Sequence, residues 1–117
     1  FVEAHSFLAI VENKEIPSLK SLKVSEESYI LGLLDCIGEL KRFVLDNIRN
    51  DQLKKADRIF NVMENLYQAL YPFAMYDKIV KETRRKLDVN RILVEETRAV
   101  ITEEIRRNHF VKALTKK

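Results

Sequence analysis

The sequence predicts an all-α protein, an antiparallel bundle of about four helices with a long last one. Three observations carry this expectation. Only two glycines and two prolines interrupt 117 residues. Charged residues reach 33% and hydrophobic ones 46%, enough for a core beneath solvated polar faces. Apolar residues recur at three- and four-residue steps, and no stretch shows a convincing strand alternation. A chain of this length fits one domain.

Residues 1–12 read as a helix, with Ala4, Phe7, Leu8 and Val11 at helical spacing and Asn13 and Pro17 ending it. The chain opens inside this helix without an initiator Met, so the expectation is of a piece whose preceding helices are missing. Residues 14–24 form a connection. Ser25 starts the second helix, which is expected to reach residue 47. Its hydroxyl caps free N–H groups, and Glu26 and Glu27 favour the positive end of the helix dipole. A break at 47–51 precedes a third helix over 52–70. There Ile59, Val62, Met63, Leu66 and Ala69 or Leu70 share an apolar face, and Pro72 marks the end. The fourth helix, 75–108, is the longest. Val80, Leu87, Val94 and Ile101 recur every seven residues beside a row of Ile79, Leu93 and Val100. That spacing suits a long helix packed in a bundle or across a subunit interface. Residues 109–117 are expected to form a flexible tail.

Composition removes several function classes. A net charge of +3 and a pI near 9.0 are compatible with nucleic-acid binding without requiring it. Cys36 is the sole cysteine, which excludes an intrachain disulfide; in an apolar helix it reads as a small buried residue. No apolar run approaches about 18 residues and no signal-peptide pattern occurs, so no membrane partner and an intracellular, cytoplasmic location are expected. Phosphate-loop and dinucleotide glycine motifs are absent, as is a nucleophile constellation. His5 and His109 lack metal-ligand spacing.

The sharpest chemical feature is a pair of carboxylates in the second helix. Asp35 stands among Leu33, Leu34, Cys36 and Ile37, where an ionised group needs a partner. Asp35 and Glu39, one turn apart, share a face with Ser28, Gly32, Arg42 and Asp46, and Gly38 lies near its edge. Each mid-helix glycine costs roughly 0.5–1 kcal/mol relative to alanine. A stripe of small residues and acids admits a partner backbone, a metal or a substrate. At about 6 Å and an effective dielectric near 20, two like charges repel by roughly 3 kcal/mol. A hard divalent cation such as Mg2+, or Mn2+ in its place, would reverse that cost and could activate water or offset phosphate charge. The plain alternative is a polar stripe in which Arg42 neutralises Glu39 at i,i+3. Glu3 is a third acid, relevant if the opening helix packs beside Asp35. Basic clusters occur at Lys54, Lys55 and Arg58, at Lys81, Arg84, Arg85 and Lys86, and at Arg106 and Arg107. Each can neutralise phosphates or simply form a solvated face. Tyr67, Tyr71, Phe73 and Tyr76 surround Pro72, as stacking platforms or corner packing.

The run Leu31-Gly-Leu-Leu-Asp35-Cys-Ile-Gly-Glu39-Leu-Lys-Arg42 resembles a segment of the translin/Trax family, read as L-x-G-x-x-D-x-x-G-E-L-x-R. Upstream, Phe1-Val-Glu3-Ala-His-Ser-Phe is similar to a Glu-aromatic-Val-Glu-Ala helix of Trax. Downstream, residues 60–71 and 76–101 follow the family's two closing helices. The resemblance implies a larger all-α fold of which this chain holds about the last four helices, assembled into hollow oligomers around a nucleic-acid-binding cavity. Trax-type subunits are Mg2+-dependent endoribonucleases on single-stranded RNA, whereas translin-type subunits bind nucleic acid and scaffold. Carried over, Glu3, Asp35 and Glu39 are the catalytic and metal-binding acids. The first glutamate of the Trax pair would precede Phe1. An acid at Asp35 favours the Trax type.

The expectation is therefore a helical, oligomeric, metal-dependent endoribonuclease subunit acting on single-stranded RNA. Arg42, Lys54, Lys55, Arg58, Arg84 and Arg85 are its candidate phosphate contacts. Single-stranded DNA is a further partner in view, as is assembly with itself or with a translin-like subunit. Two alternatives stand beside it: a translin-like binding scaffold without catalysis, and a purely structural helical module.

Overall fold

In the computed structural model the described residues form five α-helices: α1 (Val2–Val11), α2 (Leu19–Leu22), α3 (Glu26–Arg49), α4 (Leu53–Tyr76) and α5 (Lys81–Thr115). The structure describes residues 1–76 and 81–115, and the side chains of these except 74–76, 81 and 82. No strand occurs among the described residues, so the all-α expectation holds. The expected contributions of Tyr76, Ile79, Val80 and Lys81 lie outside the described side chains.

The helix ends follow local chemistry. The Ser25 hydroxyl accepts from the Ser28 amide at 3.1 Å and begins α3 as expected. Ser18 does the same for Ser21 and nucleates α2, a single turn too short for periodicity to reveal. Asn13 and Asp51 both adopt left-handed backbone, φ 58°. Each lets the next amide reach back five residues, Lys14 to the Ala9 carbonyl and Gln52 to the Asn47 carbonyl, both at 2.7 Å. These are Schellman-type ends built on Asn and Asp where glycine is usual.

Three expectations need correction. Pro72 does not end its helix, for α4 continues through it to Tyr76. The proline removes one backbone donor on a side where Gln68, Tyr71, Pro72 and Phe73 are all exposed, so water can serve the freed carbonyl. Leu66 and Leu70 meanwhile hold the other face in the core. Secondly, the tail expected from residue 109 is helical as far as Thr115. Thirdly, α1 buries Val2, Ser6, Ala9 and Ile10, leaving Ala4 exposed and Leu8 at 55% exposure. A helix apolar on most sides gives periodicity little with which to choose a face.

α3 is the centre of the assembly, packing on α1, α4 and α5, while α4 also packs on α5. The pairings fix direction. Along α3 and α5, Leu34 meets Asn90 and Lys41 meets Glu96, so these two helices run parallel. Arg98 reaches Glu64, and the short α3–α4 connection turns the chain back, so α4 runs against both. The core is Ile30, Leu33, Leu34, Ile37, Leu40 and Val44 of α3, Ala56, Ile59, Phe60, Met63, Leu66 and Leu70 of α4, and Leu87, Val94 and Ile101 of α5. Burying such side chains contributes about 1.5–3 kcal/mol each. α5 buries a second heptad row, Thr83, Asn90 and Thr97, between its apolar positions. Asn90 donates to the Leu34 carbonyl at 2.8 Å and Thr97 to the carbonyl of Leu93 at 2.6 Å. The molecule is elongated, 57 × 26 × 18 Å, with a radius of gyration of 16.0 Å. A globular chain of this size would have about 13 Å.

Candidate functional site

The site begins with a close helix crossing. A Cβ placed on Gly32 would lie 2.5 Å from the Val2 Cβ and 3.3 Å from the Glu3 backbone nitrogen. No side chain fits there, and α1 seats its first turn directly on the backbone of α3. Gly38 differs, since a Cβ there would meet only Leu93 of α5, at 3.9 Å. The crossing brings Glu3 onto the face of α3 that carries Cys36 and Glu39. Glu3 and Glu39, both half-buried, line one open recess of about 230 Å3 with Phe1, Ala4 and Phe7. The buried Cys36 thiol registers both: burial, then the charges of Glu3 and Glu39, push its pKa up to about 12. It is a protonated packing residue.

Asp35 turns the other way. Its Oδ1 lies 2.5 Å from Lys86 Nζ on α5, an ion pair in which the side chains are 41% and 29% exposed. The pair borders a groove of about 250 Å3 between α3 and α5, together with Gly38, Arg85, Val89 and Asn90. Among the described residues, no three or more acids, histidines or cysteines gather closely enough to share a metal ion. The structure thus joins Glu3 to Glu39 and sets Asp35 one turn away on a lysine. Lys86 was visible in the sequence only as one member of a basic run. Asp35's need for a partner was legible, but which lysine meets it depends on how α5 docks.

The basic candidates separate by use. Arg58 donates to the carbonyls of Ile10 and Val11 at 3.3 and 3.4 Å and to the Asn13 side chain at 3.4 Å. It braces the end of α1, where a cation complements the helix dipole. Lys55 Nζ sits 5.3 Å from the Phe43 ring centre, and Phe43 meets Phe7 edge-on at 5.6 Å. The Arg42–Glu39 pair of the polar-stripe alternative does not form among the described residues; instead both border a recess with Lys41, Leu45 and Leu93. Arg85 and Lys54 are exposed, as is Arg84. Arg107 pairs with Glu104 at 3.0 Å. Tyr67 and Tyr71 stack edge-on along α4, with Tyr67 half-buried and Tyr71 and Phe73 exposed.

The carboxylate chemistry suits a hard divalent ion, since Mg2+ is commonly held by one or two carboxylates with waters and phosphate completing its shell. Glu3 and Glu39 provide two such groups on one recess, neither in an ion pair among the described residues. On donor type the residues fit the ion that the resemblance implies. No helix among the described residues is long and apolar enough to cross a membrane.

Comparison with known proteins follows the same path. An uncharacterised protein of Methanocaldococcus jannaschii is 47% identical over 98 residues, which are 83% of this chain and 44% of that protein. The crystal structure of AfC3PO superposes with a TM-score of 0.79 at 30% identity, covering 91% of this chain and 56% of that one. A structure of AfC3PO in complex with duplex RNA matches with the same TM-score and coverage at 29% identity. The chain therefore spans about half the length of these relatives. The Translin family model matches residues 1–101, and with the helical architecture above, the chain belongs to the translin family.

Proposed function

We propose that this chain is part of a Trax-like subunit that binds RNA within an oligomer and cleaves single-stranded RNA with Mg2+. The observation that carries the reading is the meeting of Glu3 and Glu39 at the Gly32 crossing, with Asp35 one turn along the same helix. Glu3, Asp35 and Glu39 would hold the ion, and Mn2+ could replace it. When bound, Mg2+ supplies a water of lowered pKa and offsets charge at the scissile phosphate. The chain's own residues place the acids and screen the substrate. Gly32 sets Glu3 against α3, Cys36 stays protonated beneath the recess, and Arg42 and Arg85 flank the acids as exposed cations for the phosphate backbone. Support for an RNA ligand comes from family membership and from AfC3PO having been solved with duplex RNA.

The lysine on Asp35 favours one competing reading, a scaffold that binds RNA without cutting it. A labelled RNA, single-stranded or duplex, is incubated with wild type and Asp35→Ala, in Mg2+ or in EDTA. Loss of single-strand cleavage by at least about 100-fold in the mutant and in EDTA, with RNA binding retained, is the expected result. Binding without cleavage by folded wild type would leave the scaffold.

A further inference from the structure

Asp35 is the one acid of the proposed three that has an ion-pair partner among the described residues, and that partner is fixed by the fold. Asn90, one turn beyond Lys86, is bonded to the carbonyl of Leu34, the residue before Asp35. Leu87, next to Lys86, is only 1% exposed and sets the rotation of α5. These two contacts fix the register and the rotation that carry the Lys86 ammonium to Asp35. While Lys86 holds Asp35, one of the three carboxylates is neutralised and withheld from a metal ion. A lysine is a compact point charge on a flexible stem, suited to leaving as well as pairing.

We propose that Lys86 is an internal counter-ion that holds Asp35 in place of a divalent cation and is displaced when that cation binds. The inference rests on the metal-site reading above. It explains why Asp35 faces α5 while Glu3 and Glu39 share the neighbouring recess. Displacement would turn the ammonium away from Asp35 within the groove they both line, which opens to solvent.

The test measures Mn2+ binding to the purified protein by electron paramagnetic resonance, independently of cleavage. Removing a unit charge a few ångströms from a divalent ion strengthens binding roughly tenfold even at water-like screening. Lys86→Met is therefore expected to bind Mn2+ about tenfold tighter than wild type, and Lys86→Arg about as wild type does. Arg107→Met, which removes a remote charge from its pair with Glu104, controls for net charge. Lys86→Gln gives the same reading if the methionine variant does not fold. Mn2+ bound by wild type, lost in Asp35→Asn, but no tighter in Lys86→Met would overturn the counter-ion role and leave the metal site standing. No Mn2+ binding by wild type or any Lys86 variant would sink both. Binding only after Lys86 is neutralised would overturn displacement by the cation and make Lys86 a block on the site.

Discussion

Cys36 shows how much one buried residue reports about its surroundings. It is fully buried, and burial with the nearby Glu3 and Glu39 charges raises its pKa from 9.0 to about 12. Between those values the folded chain keeps the thiol proton that the unfolded chain gives up. Stability is thus fully present below about pH 9 and falls as pH rises towards the folded value. The full shift corresponds to roughly 4 kcal/mol, about half of it lost near pH 10.5. Tyr29 and Tyr67 are also raised, chiefly by burial, and slope the same way. Urea midpoints of wild type and Cys36→Ala, compared at pH 7 and pH 10.5, separate the contributions. The alanine variant starts weaker but should lose about 2 kcal/mol less on going to high pH. Parallel losses in the two proteins would mean that the thiol is not the titrating group.

At the scale of helices, the two glycines of α3 make opposite demands. At Gly32 an added methyl collides with Val2, so Gly32→Ala should cost about 1–3 kcal/mol and unseat α1 from α3. Gly38→Ala meets only an ordinary contact with Leu93 and should gain up to about 0.5–1 kcal/mol through helix propensity. Val2→Gly in the Gly32→Ala background removes the colliding atoms and should restore part of the loss. Urea denaturation of the four proteins checks the set, and equal stability of the two alanine variants would remove the crossing as an organising contact. The sequence announced a stripe of small residues there, yet it did not say which glycine a neighbour would fill. What was legible was local: the Ser25 cap, the helix break before Gln52, and the apolar heptad of Leu87, Val94 and Ile101. What was not legible depends on partners. Pro72 obeys a local stop rule that burial of Leu66 and Leu70 overrides. Thr83, Asn90 and Thr97 are polar letters, and only the neighbouring helices make them interior. Glu3, Asp35 and Glu39 were named through the resemblance, but the division of these acids between two recesses is a consequence of helix packing.

Over the whole molecule, the small net charge of +3 conceals an uneven use of cations. Lys41, Lys86, Arg98 and Arg107 are committed to ion pairs, Arg58 to the end of α1 and Lys55 to the Phe43 ring. Arg42 and Arg85 border the recess and groove beside Glu39 and Asp35, whereas Lys54 stands at the start of α4. That start adjoins the far end of α3. If RNA lies across the acids, Arg42 and Arg85 meet its phosphates and Lys54 does not. Each phosphate contact to a single strand contributes about 0.7 to the slope of log affinity against log salt. Arg42→Ala and Arg85→Ala should each weaken binding across unrelated RNA sequences and flatten that slope by about 0.7, while Lys54→Ala should leave it unchanged. Titrations in EDTA, over a range of potassium chloride, keep this measurement apart from cleavage. A flattened slope for Lys54→Ala alone would move the RNA to the α4 end of the bundle and away from Glu3, Asp35 and Glu39.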